Sequence, residues 1–147
     1  MPDIMAHELM HQKFAQVWDK YQEDSSYVMS DSLEKPDLVK FDGSIREKYK
    51  AEYPFYDKMN ALFDVRELAK DDGITDYSRE WWQAWHDHKA DSLAVVHETL
   101  AEMAKLDWEG SLHRLLWYKN STTWKPLYEA VNELYDVHIK SGSKGNG

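Results

Sequence analysis

The chain has 147 residues, 42% hydrophobic and 14% aromatic, with 18 Lys and Arg against 27 Asp and Glu, a formal net charge of −9. That length suits one hydrophobic core, and the aromatic content excludes a disordered chain. The negative balance argues against direct nucleic-acid or anionic-membrane binding, and the absence of Cys excludes disulfide and thiolate chemistry.

A first helix is predicted over about residues 4–23, where Met10, Phe14, Val17, Trp18 and Tyr21 recur at helical spacing. A connection over about 25–43 follows, and its Leu38-Val39-Lys40-Phe41 run is read as a packed loop. Ser44-Ile45-Arg46-Glu47 reads as a capping box opening a second helix, interrupted near Tyr53 by Pro54. Asp71-Asp72-Gly73 marks a turn. A third helix is predicted over about 78–106, with Trp82, Trp85, Leu93, Val96, Leu100 and Met103 on its apolar face. A shorter helix is expected over about 111–118. The last starts after Ser121-Thr122-Thr123, has Pro126 in its first turn and runs to about Lys140. The sum is an all-α, irregular bundle of four to six helices with little or no sheet. A single domain would span 1–140, with a flexible Gly/Ser-rich tail over 141–147.

On one continuous third helix, Glu80, Asp87, Asp91, Glu98 and Glu102 fall within roughly 40° of one line over ~33 Å. Such a row reads either as a solvated face or as a rail for a basic partner surface. His86 and His97 lie ~16 Å apart along the same helix, too far for one ion, and are expected to be separate boundary or hydrogen-bonded histidines. His86-Asp87 also spells the dipeptide of HD-type metal phosphohydrolases, with His7, His11 and Asp136 as nominal further ligands.

His7-Glu8-Leu9-Met10-His11 spells HExxH. On a helix the two His stand one turn apart, suited to Zn²⁺, and the Glu is placed to act as base toward a bound water. Roughly 0.03 such matches are expected by chance at this composition. The motif resembles that of the zincin metallopeptidases. The resemblance implies a third ligand, for which Asn132-Glu133-Leu134-Tyr135-Asp136 is a faint candidate. Glu8-x-x-His11 is also half of a di-iron bundle motif, but the sequence has no second ExxH.

The function expected from these features is a non-enzymatic acidic interaction protein of the phage or mobile-element kind. It would act as an inhibitor whose carboxylate row (Glu80, Asp87, Asp91, Glu98, Glu102) occupies the basic, nucleic-acid-binding groove of a protein partner. That reading needs no cofactor and no catalytic residue. The alternative is a zinc-dependent hydrolase using His7 and His11 as ligands and Glu8 as base. No apolar run approaches the ~20 residues of a membrane span and Met1-Pro2-Asp3 opens no signal peptide, so a cytoplasmic protein is expected.

Overall fold

A computed structural model describes residues 2–71 and 74–140, the side chains from residue 4 onward. The expected tail over 141–147, and residues 72 and 73 of the expected turn, lie outside that range. The fold is all-α: the described residues form seven helices and no strand. No helix among them is long and apolar enough to cross a membrane.

Helix α1 (Pro2–Glu34) is the spine of the bundle. It buries Met10, Phe14 and Val17 completely or nearly so. It runs well past the expected end near residue 23, because Val28 is buried in a second small cluster with Ile45 and Tyr56. Packing there overrides the poor helix propensity of its Ser-rich last turns. The chain leaves the helix at Lys35-Pro36, where proline disfavours helical geometry at the residue before it.

The 38–45 segment is a packed loop with one isolated antiparallel bridge, Val39 to Ile45. The expected capping box at Ser44 does not form. The Ser44 hydroxyl and N–H both donate to Asp42 Oδ1, at 2.7 and 3.1 Å, and only a short 3₁₀ turn, Glu47–Tyr49, follows. The second helix proper, α2 (Pro54–Leu62), starts at the proline instead. Its cap comes from α1, where Asp24 Oδ2 accepts the N–H groups of Phe55 (3.1 Å) and Tyr56 (3.3 Å). Proline suits the first helical position, and a distant carboxylate satisfies the next two donors.

After the short α3 (Val65–Leu68), Thr75 and Ser78 make the capping box that opens α4 (Asp76–His86). The expected third helix is in fact two, because α4 ends at His86 and α5 (Ser92–Trp108) starts anew. The break has an identifiable cause. His88 adopts φ 60°, Lys89 N–H bonds Ala84 O at 2.7 Å, and His88 N–H bonds Trp85 O at 3.0 Å. These are the paired bonds of a Schellman stop, with a histidine where glycine usually stands. The two helices stay locked by Trp82 Nε1, which donates to Thr99 Oγ1 at 3.1 Å in the core.

Helix α6 (Leu116–Asn120) is short, and α7 (Trp124–Leu134) begins where Ser121 Oγ accepts Trp124 N–H at 2.8 Å. It continues as a π-helical stretch, Tyr135–Lys140. Trp82, Val96, Leu100 and Met103 are buried as expected, while Trp85 and Leu93 are half-buried against the same core. Helix α1 lies along α5, which brings its first turns beside residues 97–102 and sets up the site.

Candidate metal centre

His7 and His11 stand one turn apart on the face of α1 that meets α5. Opposite them, α5 presents His97, Glu98 and Glu102. The packing of α1 on α5 therefore gathers three imidazoles and two carboxylates that lie up to 95 positions apart in sequence.

Three of these atoms form a nearly equilateral triangle. His7 Nε2 is 3.2 Å from His11 Nε2, and each is 3.4 Å from Glu98 Oε2. Ligand atoms held at ~2.0–2.1 Å around a tetrahedral zinc stand ~3.3–3.4 Å apart, so the triangle has the size of one face of that tetrahedron. Among the described residues, His7, His11 and Glu98 are the one group of three or more His, Cys, Asp and Glu side chains able to share an ion.

Each of the three has its own outer partner. His7 turns its other nitrogen, Nδ1, to Glu102 Oε2 at 3.3 Å, and Glu102 Oε1 accepts the Thr75 hydroxyl at 3.1 Å. Glu102 is almost wholly buried, at 6% exposure, so this pair is built into the interior. His11 turns its Nδ1 to His97 Nδ1 at 3.3 Å. Burial, reinforced by the neighbouring His11, pulls the pKa of His97 below its ordinary value and favours the neutral ring. Its edge also rests against Phe14, with centroids 4.6 Å apart. Glu98 Oε2 accepts the Tyr77 hydroxyl at 2.8 Å, and burial raises the pKa of that phenol. Metal-ligating imidazoles commonly donate their second N–H to a carboxylate or another acceptor, which fixes tautomer and ring orientation. Thr75, Tyr77, His97 and Glu102 supply that layer here.

The remaining residues singled out from sequence fall elsewhere. Glu8 is exposed on the adjoining side of α1, where it lines an apolar groove with Ile4, Met5, Leu9 and Trp108. Asn132 bonds Lys13 and the Tyr128 carbonyl, and Glu133 lines a cleft beside Lys50 and Lys58, so neither joins the cluster. His86 and Asp87 are exposed at the α4 terminus, and Asp136 is exposed in the π-helical stretch.

The five-carboxylate row does not survive the break at His88, because no single helix axis runs through it. Glu80, Asp87 and Asp91 remain exposed on α4 and at the corner, where Asp87 accepts Gln83 Nε2 at 3.2 Å. Glu98 and Glu102 turn inward to the histidines.

Sequence reasoning thus named two of the three triangle residues as ligands and assigned Glu98 to a different role. It read His97 as a separate boundary or hydrogen-bonded histidine, and it missed Tyr77 and Thr75 altogether. The Glu98-x-x-x-Glu102 spacing beside His97 places two carboxylates on one helical face, but no sequence pattern pointed to Tyr77 or Thr75. Compared with protein families, characterised proteins and solved structures, the chain matches none.

Proposed function

We propose that this is a metal-binding protein that holds one divalent transition-metal ion, best suited to Zn²⁺, between α1 and α5. His7 Nε2, His11 Nε2 and Glu98 Oε2 are the ligands, and Glu102, His97 and Tyr77 orient them. The observation that carries this reading is the triangle with edges of 3.2, 3.4 and 3.4 Å. Two imidazoles and one carboxylate form a borderline donor set that suits zinc among the common ions. Three protein ligands leave a fourth position for water or a small ligand, the arrangement of reactive rather than purely structural zinc sites.

The hydrolase chemistry expected of HExxH is not carried over, because Glu8 lies on the exposed side of α1, away from the triangle. Elemental analysis after zinc reconstitution tests the proposal. One equivalent of zinc is expected in the parent and in Glu8→Gln, and none in Glu98→Gln. Zinc well below one equivalent in the parent overturns it.

A second reading, an acidic interaction protein, draws support from the net charge of −9 and from Glu80, Asp87 and Asp91 exposed around the α4–α5 corner. It requires a basic protein partner whose association slows as salt rises, and slows further in a double Asp87→Lys, Asp91→Lys variant. A salt-independent rate that is unchanged in that variant removes it.

A further inference from the structure

Four large apolar side chains that face water share one groove. Ile4, Met5 and Leu9, on the first turns of α1, are 57%, 69% and 48% exposed, and Trp108, the last residue of α5, is 64% exposed. They line a single cleft of about 830 Å³ with Glu8 and Gln12. The Trp108 indole N–H has no hydrogen-bond or ring partner among the described residues. A contiguous apolar patch holding Trp and Met is typical of surfaces that a partner covers. Glu8 is the one charged side chain among the described residues lining the cleft, and none of them offers it a cation. Lys13, the next lysine along α1, donates instead to Asn132 Oδ1 at 3.2 Å and lies over the Tyr135 ring. From Ile4 to Gln12 the groove follows α1 for ~12 Å, about two turns of a helix. Its walls are side chains of two helices and not a strand edge, so they offer an extended peptide no backbone ladder.

We propose that this groove binds an amphipathic helix of a basic protein partner. About two turns of its apolar face lie on Ile4, Met5, Leu9 and Trp108, and a Lys or Arg beside that face pairs with Glu8. The net charge of −9 attracts such a helix and repels both an anionic membrane and a second copy of this chain. The surface shares no residue with the metal site or with the Asp87–Asp91 corner, so it stands or falls independently of both readings above.

The test uses full-length protein and synthetic helices, with affinity read by calorimetry. The probe carries leucines along one face and lysines elsewhere. One control peptide replaces each lysine by glutamate, and another keeps the Leu/Lys composition but scatters the leucines around the helix. The probe should bind one to one, and both controls at least about tenfold more weakly. Trp108→Ala should weaken probe binding by about tenfold or more, as loss of a central aromatic anchor does, and leave the unfolding midpoint unchanged. Glu8→Lys should weaken it more than Asp19→Lys, which makes the same charge change at an exposed position ~16 Å along α1. The proposal is overturned if the probe does not bind, if either control peptide binds as well, or if Trp108→Ala binds the probe like the parent. It is also overturned if Asp19→Lys weakens binding as much as Glu8→Lys. Self-association of the parent that Trp108→Ala abolishes in sedimentation would make a second copy the occupant instead. Binding to phosphatidylglycerol vesicles lost in the same variant would make it a membrane.

Discussion

The two ends of α1 both carry polar side chains into helix contacts, and they use them differently. Near its C-terminal end, Asp24 accepts two backbone N–H groups of α2, and Asp31 accepts the Tyr53 hydroxyl at 3.0 Å. Every partner there is a donor meeting an acceptor, so the fold itself accounts for the arrangement. Near its N-terminal end, His7 and His11 turn nitrogens toward each other and toward one oxygen of Glu98. Three atoms of ligand type converge on one point, while hydrogen bonds from Tyr77 and between His11 and His97, and the close His7–Glu102 pair, back them from behind. The first end is a cap. The second has the form of a coordination sphere, and the contrast separates a structural polar contact from a site.

The largest expected effect strikes the packing on which both ends depend. Leu100 on α5 is fully buried, so Leu100→Ala should cost ~2–5 kcal/mol in denaturant unfolding. A loss below ~0.5 kcal/mol, typical of surface positions, would mean that α5 does not present this face to the core.

The cap end comes next. Asp24→Ala leaves two helix N–H groups without their acceptor and should cost ~1–2 kcal/mol. Asp24→Asn keeps an acceptor oxygen, and the pKa of Asp24 sharpens that comparison. Burial raises it above the ordinary value of 3.8, against the lowering effect of the two N–H bonds. The native state therefore holds its proton more tightly than the unfolded chain. The stabilisation linked to this proton is present below the unfolded pKa and lost as pH rises through the folded one. At neutral pH the neutral Asn should thus fold at least as stably as the parent. An Asn variant as destabilised as the Ala variant would show that charge, not acceptor geometry, makes the cap.

The smallest effect lies at the corner that separates inward from outward carboxylates. His88 at φ 60° occupies a conformation that glycine adopts at no steric cost. His88→Gly should raise stability by about 0.5–1 kcal/mol. A destabilised glycine variant would mean that the His88 side chain contributes more than its backbone costs.

That corner also explains what the sequence could and could not disclose. Local signals were legible. Ser121-Thr122-Thr123 with Pro126 placed the start of α7, and the apolar spacing from Met10 to Val17 placed the core face of α1. The α4–α5 stop carries no glycine, so nothing local announced it, and the apparent row of five acids followed from that omission. Ser44 had the composition of a cap, but Asp42 took its hydroxyl. Half of the site was visible as His7 and His11, because i,i+4 spacing is a local property. Glu98, Glu102 and His97 belong to it only through the α1–α5 contact, which no local pattern encodes.

The most direct test of the central claim is a zinc titration of the parent, Glu8→Gln and Glu98→Gln proteins, read by calorimetry and by the unfolding midpoint. The account predicts one site in the parent and in Glu8→Gln, with about 2.7 kcal/mol of added stability at a hundredfold excess of zinc over Kd. Glu98→Gln should fold like the zinc-free parent and gain nothing measurable from zinc. Equal zinc binding by the parent and Glu98→Gln, or loss of binding in Glu8→Gln alone, would contradict the assignment of His7, His11 and Glu98 as the coordination sphere.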